Sequence, residues 1–137
     1  MASVDVTDLS ILIVEDNVHF RTLIRSILQA LGVSKLEEAR DGIEALELLG
    51  GSNKENHPDL VILDWKMDGM DGVECVRQIR QLDCDNRSVP IIMVTGYTET
   101  SLQDEAHAAG VNGFLAKPIS PQSLLGRIVS VMDRVQA

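Results

Sequence analysis

The chain has 137 residues, the size of one domain around one core. Its 21 Asp and Glu against 12 Lys and Arg give a net charge of -9, a field that repels nucleic-acid phosphates and anionic lipid headgroups, so direct nucleic-acid binding is not expected. A hydrophobic content of 45% is that of a folding chain, and with aromatics at only 3% (Phe20, Trp65, Tyr97 and Phe114) aliphatic side chains must fill the core.

The first element is the wholly apolar, β-branched run at 11–14, which suits a strand buried on both faces. After Asn17, apolar residues recur at Phe20, Leu23, Ile24, Ile27, Leu28 and Leu31, and Gly32 follows, so the pattern predicts a helix with one apolar face and a glycine stop. Residues 35–39 carry charge and predict an edge strand. Asp41-Gly42-Ile43-Glu44 places an acid three residues before a glutamate, the spacing of a capping box, and opens the second helix. A polar loop at 50–59 leads to a second buried run at 60–63, and the capping spacing returns in Asp71-Gly72-Val73-Glu74 to open the third helix. The run at 91–94 is again wholly apolar. Helix 99–109 is thin, offering mainly Leu102, Ala106 and Ala109 to a core, and should be the least firmly held. Residues 111–116 predict a second edge strand, and Ser120 with Pro121 starts a last helix whose stripe is Leu124, Ile128, Val131 and Val135.

Strand then helix, repeated five times, implies parallel strands joined by crossovers with helices on both faces. The first, third and fourth strands are the buried ones, so the second and fifth take the edges. The expected fold is therefore α/β, a doubly wound five-stranded parallel sheet of strand order 2-1-3-4-5, the flavodoxin-like (βα)5 arrangement. Apolar runs end after about four or five residues, far short of the roughly 18 that span a bilayer, and no basic-then-apolar leader opens the chain. Cys75 and Cys84 fit neither a disulfide framework nor zinc spacing. These features predict a soluble protein of the reducing cytoplasm, without membrane insertion.

Ligands of such folds bind beyond the carboxyl ends of the strands. There the first strand runs into Glu15-Asp16, the third into Asp64, the fourth into Thr95 and the fifth into Lys117-Pro118. Each has an ordinary reading alone: a helix cap, a turn, a strand end, a solvated charge. A helix needs only one capping side chain, however, and a paired acid beside a third acid on the neighbouring strand is a like-charge cluster that costs stability unless a cation occupies it. Oxygen ligands without Cys or His suit Mg²⁺. Three carboxylates and Lys117 sum to -2, which a divalent cation brings near neutrality, so that a phosphoryl group becomes tolerable. Asp64 is then the natural carboxylate nucleophile, with Lys117 and the Thr95 hydroxyl facing the transferred oxygens.

This combination resembles the receiver domains of two-component response regulators, specifically the small single-domain kind related to chemotaxis receivers, over residues 10–135. The resemblance implies a receiver domain at 8–137 after a short extension at 1–7. It implies Asp64 as phosphoacceptor, Asp16 and Asp64 as direct Mg²⁺ ligands, Glu15 acting through water, and the main-chain carbonyl of Lys66 completing the set. Lys117 would pair with the aspartyl phosphate, and the Lys117–Pro118 peptide would be cis. Thr95 and Phe114 would form a switch pair: the hydroxyl is drawn to the phosphoryl group, Phe114 enters the vacated space, and the surface of the fourth helix, fifth strand and fifth helix changes. Lys66 and Tyr97 are candidate modulators of dephosphorylation, and Asp68 stands where the family often has proline. The implied partners are a sensor histidine kinase or histidine phosphotransfer protein as donor and a downstream protein target. The chain would catalyse only its own phosphorylation and dephosphorylation and would not be an enzyme with a separate substrate.

Three rivals are weaker. A phosphatase of the haloacid dehalogenase type needs a second acid two residues after the nucleophile, where this chain has Lys66. A flavodoxin needs a Ser/Thr/Gly-rich phosphate loop after the first strand, where this chain is acidic. A degenerate scaffold lacks support because all the required side chains are present. His19, His57 and His107 have no ligand spacing and read as structural, as do both cysteines and Phe20.

Overall fold

A computed structural model describes residues 5–50, 57–67, 69–96 and 100–136, so Asp68, Tyr97 and Glu99 lie outside the described residues. Five strands, β1 (Ser10–Val14), β2 (Lys35–Ala39), β3 (Leu60–Asp64), β4 (Ile91–Thr95) and β5 (Gly113–Ala116), form one parallel sheet in the order β2-β1-β3-β4-β5. Between and after them run α1 (Val18–Ala30), α2 (Gly42–Gly50), α3 (Gly72–Arg80), α4 (Thr100–Ala109) and α5 (Pro121–Gln136). This is the doubly wound architecture expected from the pattern of runs.

Strand periodicity divides the core in two. Odd positions 11 and 13 of β1, with Leu60, Ile62, Ile92 and Val94, face the layer of α1 and α5, where they meet Ile24, Leu28, Leu124 and Ile128. Leu12 and Val14, with Val61, Leu63, Ile91 and Met93, face the other layer and meet Leu49, Val73, Val76 and Ile79. Continuous apolar runs are therefore what a strand covered on both sides requires.

Local signals fix the helix ends. Asn17 Oδ1 accepts from the N–H groups of His19 and Phe20 at 2.9 and 3.0 Å. Asp41 and Asp71 each accept the N–H of the glutamate three residues on, at 2.8 Å. Gly32 and Gly110 close α1 and α4 with φ of 96° and 117°, backbone that favours glycine. Ser120 Oγ accepts the N–H of Ser123 at 3.1 Å to open α5.

Some details differ from the sequence pattern. Leu23 is exposed although it falls within the apolar arc of α1, because Ile24, Ile27 and Leu28 already fill the contact with the sheet. Val135 is exposed too: the 16-residue α5 outruns the short strands beside it, and Met132 takes the final buried place. β5 begins at Gly113 and not at Val111, because Asn112 is used as a bracket. Its N–H donates to the Ile91 carbonyl at 2.9 Å and its Oδ1 accepts from the Ile91 N–H at 2.8 Å.

Arg80, at the end of α3, ties the same region together. Its guanidinium donates to the carbonyls of Val89 (2.6 Å), Arg87 (2.9 Å) and Gly110 (2.7 and 3.2 Å) and to Asn112 Oδ1 (3.0 Å). The carboxyl end of α4 is thereby fastened to α3. Along its length α4 is thinly packed, as its composition predicts: Ala106 is buried, while Leu102 and Ala109 are only half-buried. Among the described residues, no helix is long and apolar enough to cross a membrane.

Candidate functional site

Each strand end flagged in the sequence occupies the last rungs of the sheet. The Glu15 N–H donates to Ala39 O at 3.0 Å, Trp65 N–H to Val94 O at 3.1 Å, and Lys117 N–H to Thr95 O at 2.9 Å. Backbone pairing thus positions Glu15, the residue after Asp64, and Lys117 before any side chain interacts. The Lys117–Pro118 peptide is cis. Asp64, Trp65, Lys66, Thr95, Gly96 and Lys117 line one cavity of about 240 Å³.

Beside it the oxygens of Glu15, Asp16 and Asp64 lie within 4.8 Å of one another. Glu15 is only 1% exposed and Asp64 only 5%. Glu15 Oε1 accepts the Asn17 N–H at 3.0 Å, while Oε2 is buried without a hydrogen-bond partner among the described residues. Burial, and then the adjoining Asp64 carboxyl, push the Glu15 carboxyl up to about 8. Lys117 Nζ reaches Asp64 Oδ2 at 3.2 Å from a side chain that is 33% exposed. Among the described residues the ion pair recorded for the cluster is that of Lys117 with Asp64, one ammonium for three carboxyls.

An orphaned buried carboxylate oxygen and an all-oxygen donor set fit a hard divalent cation such as Mg²⁺, which accepts a few carboxylates and retains open positions. Thr95 is buried at the end of β4. Phe114 on β5 is half-buried, its ring meeting His107 of α4 edge-on at 4.8 Å and 78°. Thr95, His107 and Phe114, with Arg127 and Arg134 of α5, line a second cavity of about 370 Å³. The structure therefore brings together Glu15, Asp16, Asp64, Lys66, Thr95 and Lys117, puts Phe114 one cavity away, and leaves Tyr97 outside the described residues.

Three residues at the site were not singled out for it from the sequence. Gly72 approaches so closely that a Cβ there would lie 2.6 Å from the Asp64 carbonyl oxygen and 2.9 Å from Trp65 Cα. Its N–H also donates to the Trp65 carbonyl at 2.7 Å. In sequence it read only as part of a helix cap. Arg21 donates to the Glu15 carbonyl at 2.9 Å and to Glu38 of β2 at 3.0 Å, anchoring the acidic loop. Phe20, read as packing, lies under the Lys117 ammonium, 4.4 Å from ring centroid to Nζ. Its spacing in sequence is that of any apolar residue of α1 and carries no separate signal for that placement.

Other reactive-looking groups have structural surroundings. Cys75 lies on the buried face of α3, where burial pushes its thiol up to about 12. His57 Nδ1 pairs with Asn86 Oδ1 at 2.9 Å, and Asn86 in turn donates to the Leu49 carbonyl at 2.8 Å.

Comparison with known proteins agrees with the geometry. The family model described as response regulator receiver domain matches residues 11–129. The chemotaxis protein CheY of Pseudomonas aeruginosa is 36% identical over 127 residues, covering 93% of this chain and 98% of that protein. The crystal structure of CheY4 from Vibrio cholerae superposes with a TM-score of 0.77 at 31% identity, covering 93% and 98% of the two chains. A third similar structure is the receiver domain of sensor histidine kinase PA1611 from Pseudomonas aeruginosa, described with a magnesium ion coordinated in its active-site cleft. Its TM-score is 0.77 at 28% identity, over 94% of this chain and 98% of that one.

Proposed function

Because this chain belongs to the response regulator receiver domains, we propose that Asp64 is its phosphoacceptor and that residues 8–137 act as the receiver. The donor is a phosphohistidine on a sensor kinase or histidine phosphotransfer protein. An Asp64 carboxylate oxygen bonds to phosphorus as the phosphorus–nitrogen bond breaks, and the imidazole nitrogen keeps the electron pair. Glu15, Asp16 and Asp64, with the Lys66 main-chain carbonyl, would hold Mg²⁺. When bound, it supplies the positive charge that lets an anionic phosphoryl group approach this acidic cluster.

The protein's own groups do the rest. Lys117, 3.2 Å from Asp64 Oδ2, pairs with an oxygen of the arriving group. Thr95, on the same cavity, donates its hydroxyl to another. Drawing Thr95 inward opens space toward Phe114, and the surface of α4, β5 and α5 changes for a downstream protein. Lys66, exposed on the rim of the cavity, and Tyr97 set how readily water reaches the acyl phosphate. The reading places the protein in the cytoplasm, with the kinase and the target as its partners.

The observation that carries this reading is the convergence of Asp64, Lys117 and Thr95 on one cavity beside the acidic cluster of Glu15 and Asp16. Incubation with acetyl phosphate and Mg²⁺, followed by mass measurement of the intact protein, tests it. One phosphoryl addition is expected, abolished in Asp64→Asn. No addition, or equal addition to the variant, overturns it.

A further inference from the structure

A lysine that must meet a transferred phosphoryl group has to be held without being neutralised. Lys117 has a long side chain, one-third exposed, whose backbone is fixed by the sheet through its N–H to the Thr95 carbonyl and whose head meets Asp64 at 3.2 Å. Left to itself such a chain keeps most of its rotamers. A carboxylate partner would hold the ammonium but would occupy its donors and add another negative charge to the site. An aliphatic neighbour would pack on the stem without attracting the head.

An aromatic face does neither. Its quadrupole attracts the cation while leaving N–H donors directed away from the ring for oxygen. Phe20 presents such a face, 4.4 Å from Lys117 Nζ, while the same nitrogen reaches Asp64 Oδ2 at 3.2 Å. The ring is itself fixed. The Phe20 N–H donates to the Asn17 cap at 3.0 Å, and the side chain packs half-buried against the core layer of α1 and α5. The capped first turn of α1 therefore follows directly on Glu15 and Asp16 and also carries the platform for Lys117.

We propose that Phe20 is a positioning residue of the phosphoryl-transfer site, holding the Lys117 ammonium over its ring so that the cation stays aimed at Asp64. The proposal rests on the reading of Asp64 as phosphoacceptor, and the two are separable by experiment. In the protein without phosphodonor, the Lys117 ε-methylene protons should be shifted upfield by the ring current. The shift should persist in Phe20→Tyr and vanish in Phe20→Leu. During labelling by acetyl phosphate with Mg²⁺, an Asp64 oxygen bonds to phosphorus while the bond to acetate breaks, acetate leaving with the electron pair. The rate should fall about fivefold in Phe20→Leu, the scale of one cation–π contact at a partly exposed site, and stay within about twofold of wild type in Phe20→Tyr.

Amide spectra that remain dispersed in Phe20→Leu, together with rescue by tyrosine, distinguish positioning from loss of packing. A Lys117 resonance indifferent to Phe20→Leu, equal rates in all three proteins, or tyrosine as slow as leucine each overturns the proposal. Absence of labelling in the wild type overturns the phosphoacceptor reading itself, whatever the resonance does.

Discussion

Replacing Glu15 by Gln isolates the like-charge cluster from the rest of the fold. In the metal-free protein the buried Glu15 carboxyl titrates at about 8, against an ordinary value of 4.5. Between those pH values the folded state holds a proton that the unfolded chain has released, so stability falls as pH rises through the window. The effect is absent below 4.5 and complete above about 8. At about 1.4 kcal/mol for each tenfold in proton affinity, with the repulsion shared between Glu15 and Asp64, the penalty is a few kcal/mol, a large part of the stability of a marginal domain. Glutamine keeps an oxygen for the Asn17 N–H, which Glu15 accepts at 3.0 Å, and stays neutral throughout. Urea unfolding in EDTA, followed by far-UV circular dichroism from about pH 5 to about pH 9, should give two proteins within about 1 kcal/mol at the acid end and a glutamine variant ahead by a few kcal/mol at the alkaline end. Adding Mg²⁺ at alkaline pH should raise the wild-type midpoint more than that of the variant, because the cation binds only the folded cluster. A gap that does not change with pH, or a variant that declines in step with the wild type, refutes the reasoning.

Other outcomes follow from the supporting shell. Gly72→Ala places a carbon where 2.6 Å separates it from the Asp64 carbonyl oxygen, so the backbone must move. A loss of about 1–3 kcal/mol in unfolding free energy and slower labelling of Asp64 are expected. Arg80→Lys exchanges a planar fork for a point charge and cannot serve the carbonyls of Val89, Arg87 and Gly110 together. About 2–3 kcal/mol should be lost, with amide exchange accelerated first around Gly110 and not in β1 or β3.

The sheet was legible because β1, β3 and β4 are buried on both faces, a condition only unbroken aliphatic runs satisfy. The strand-end chemistry was legible because parallel strands bring their carboxyl ends to one side, so residues as far apart as Asp16, Asp64 and Lys117 needed no contact information to be grouped. What escaped depended on lateral neighbours. Phe20 reads like any apolar residue at a helical spacing, and only the path of Lys117 over α1 gives its ring a charge to face. Gly72 sits inside a cap motif that explains a glycine adequately, so its contact with the backbone of Asp64 left no separate trace. Leu23 and Val135 satisfy helical periodicity but lie where no partner layer reaches them.

The Arg80 clamp has a mechanical consequence for α4. Its carboxyl end is tethered to α3 through Gly110, while its amino end, Thr100, follows Thr95 of β4 by five residues in the chain. A helix of ten residues fastened most firmly at its carboxyl end has its pivot there. Arg77 of α3 meets Glu105 at 3.4 Å farther along, and since α4 is roughly 15 Å long, a displacement of about 2 Å at its amino end would be a tilt of about 8° about the clamp. Thin packing along the shaft lowers the resistance to that swing, and the clamp determines where it pivots. Were the proposed switch to move the end of β4, this clamp would turn the movement into rotation of α4, graded along the helix and largest at its amino end.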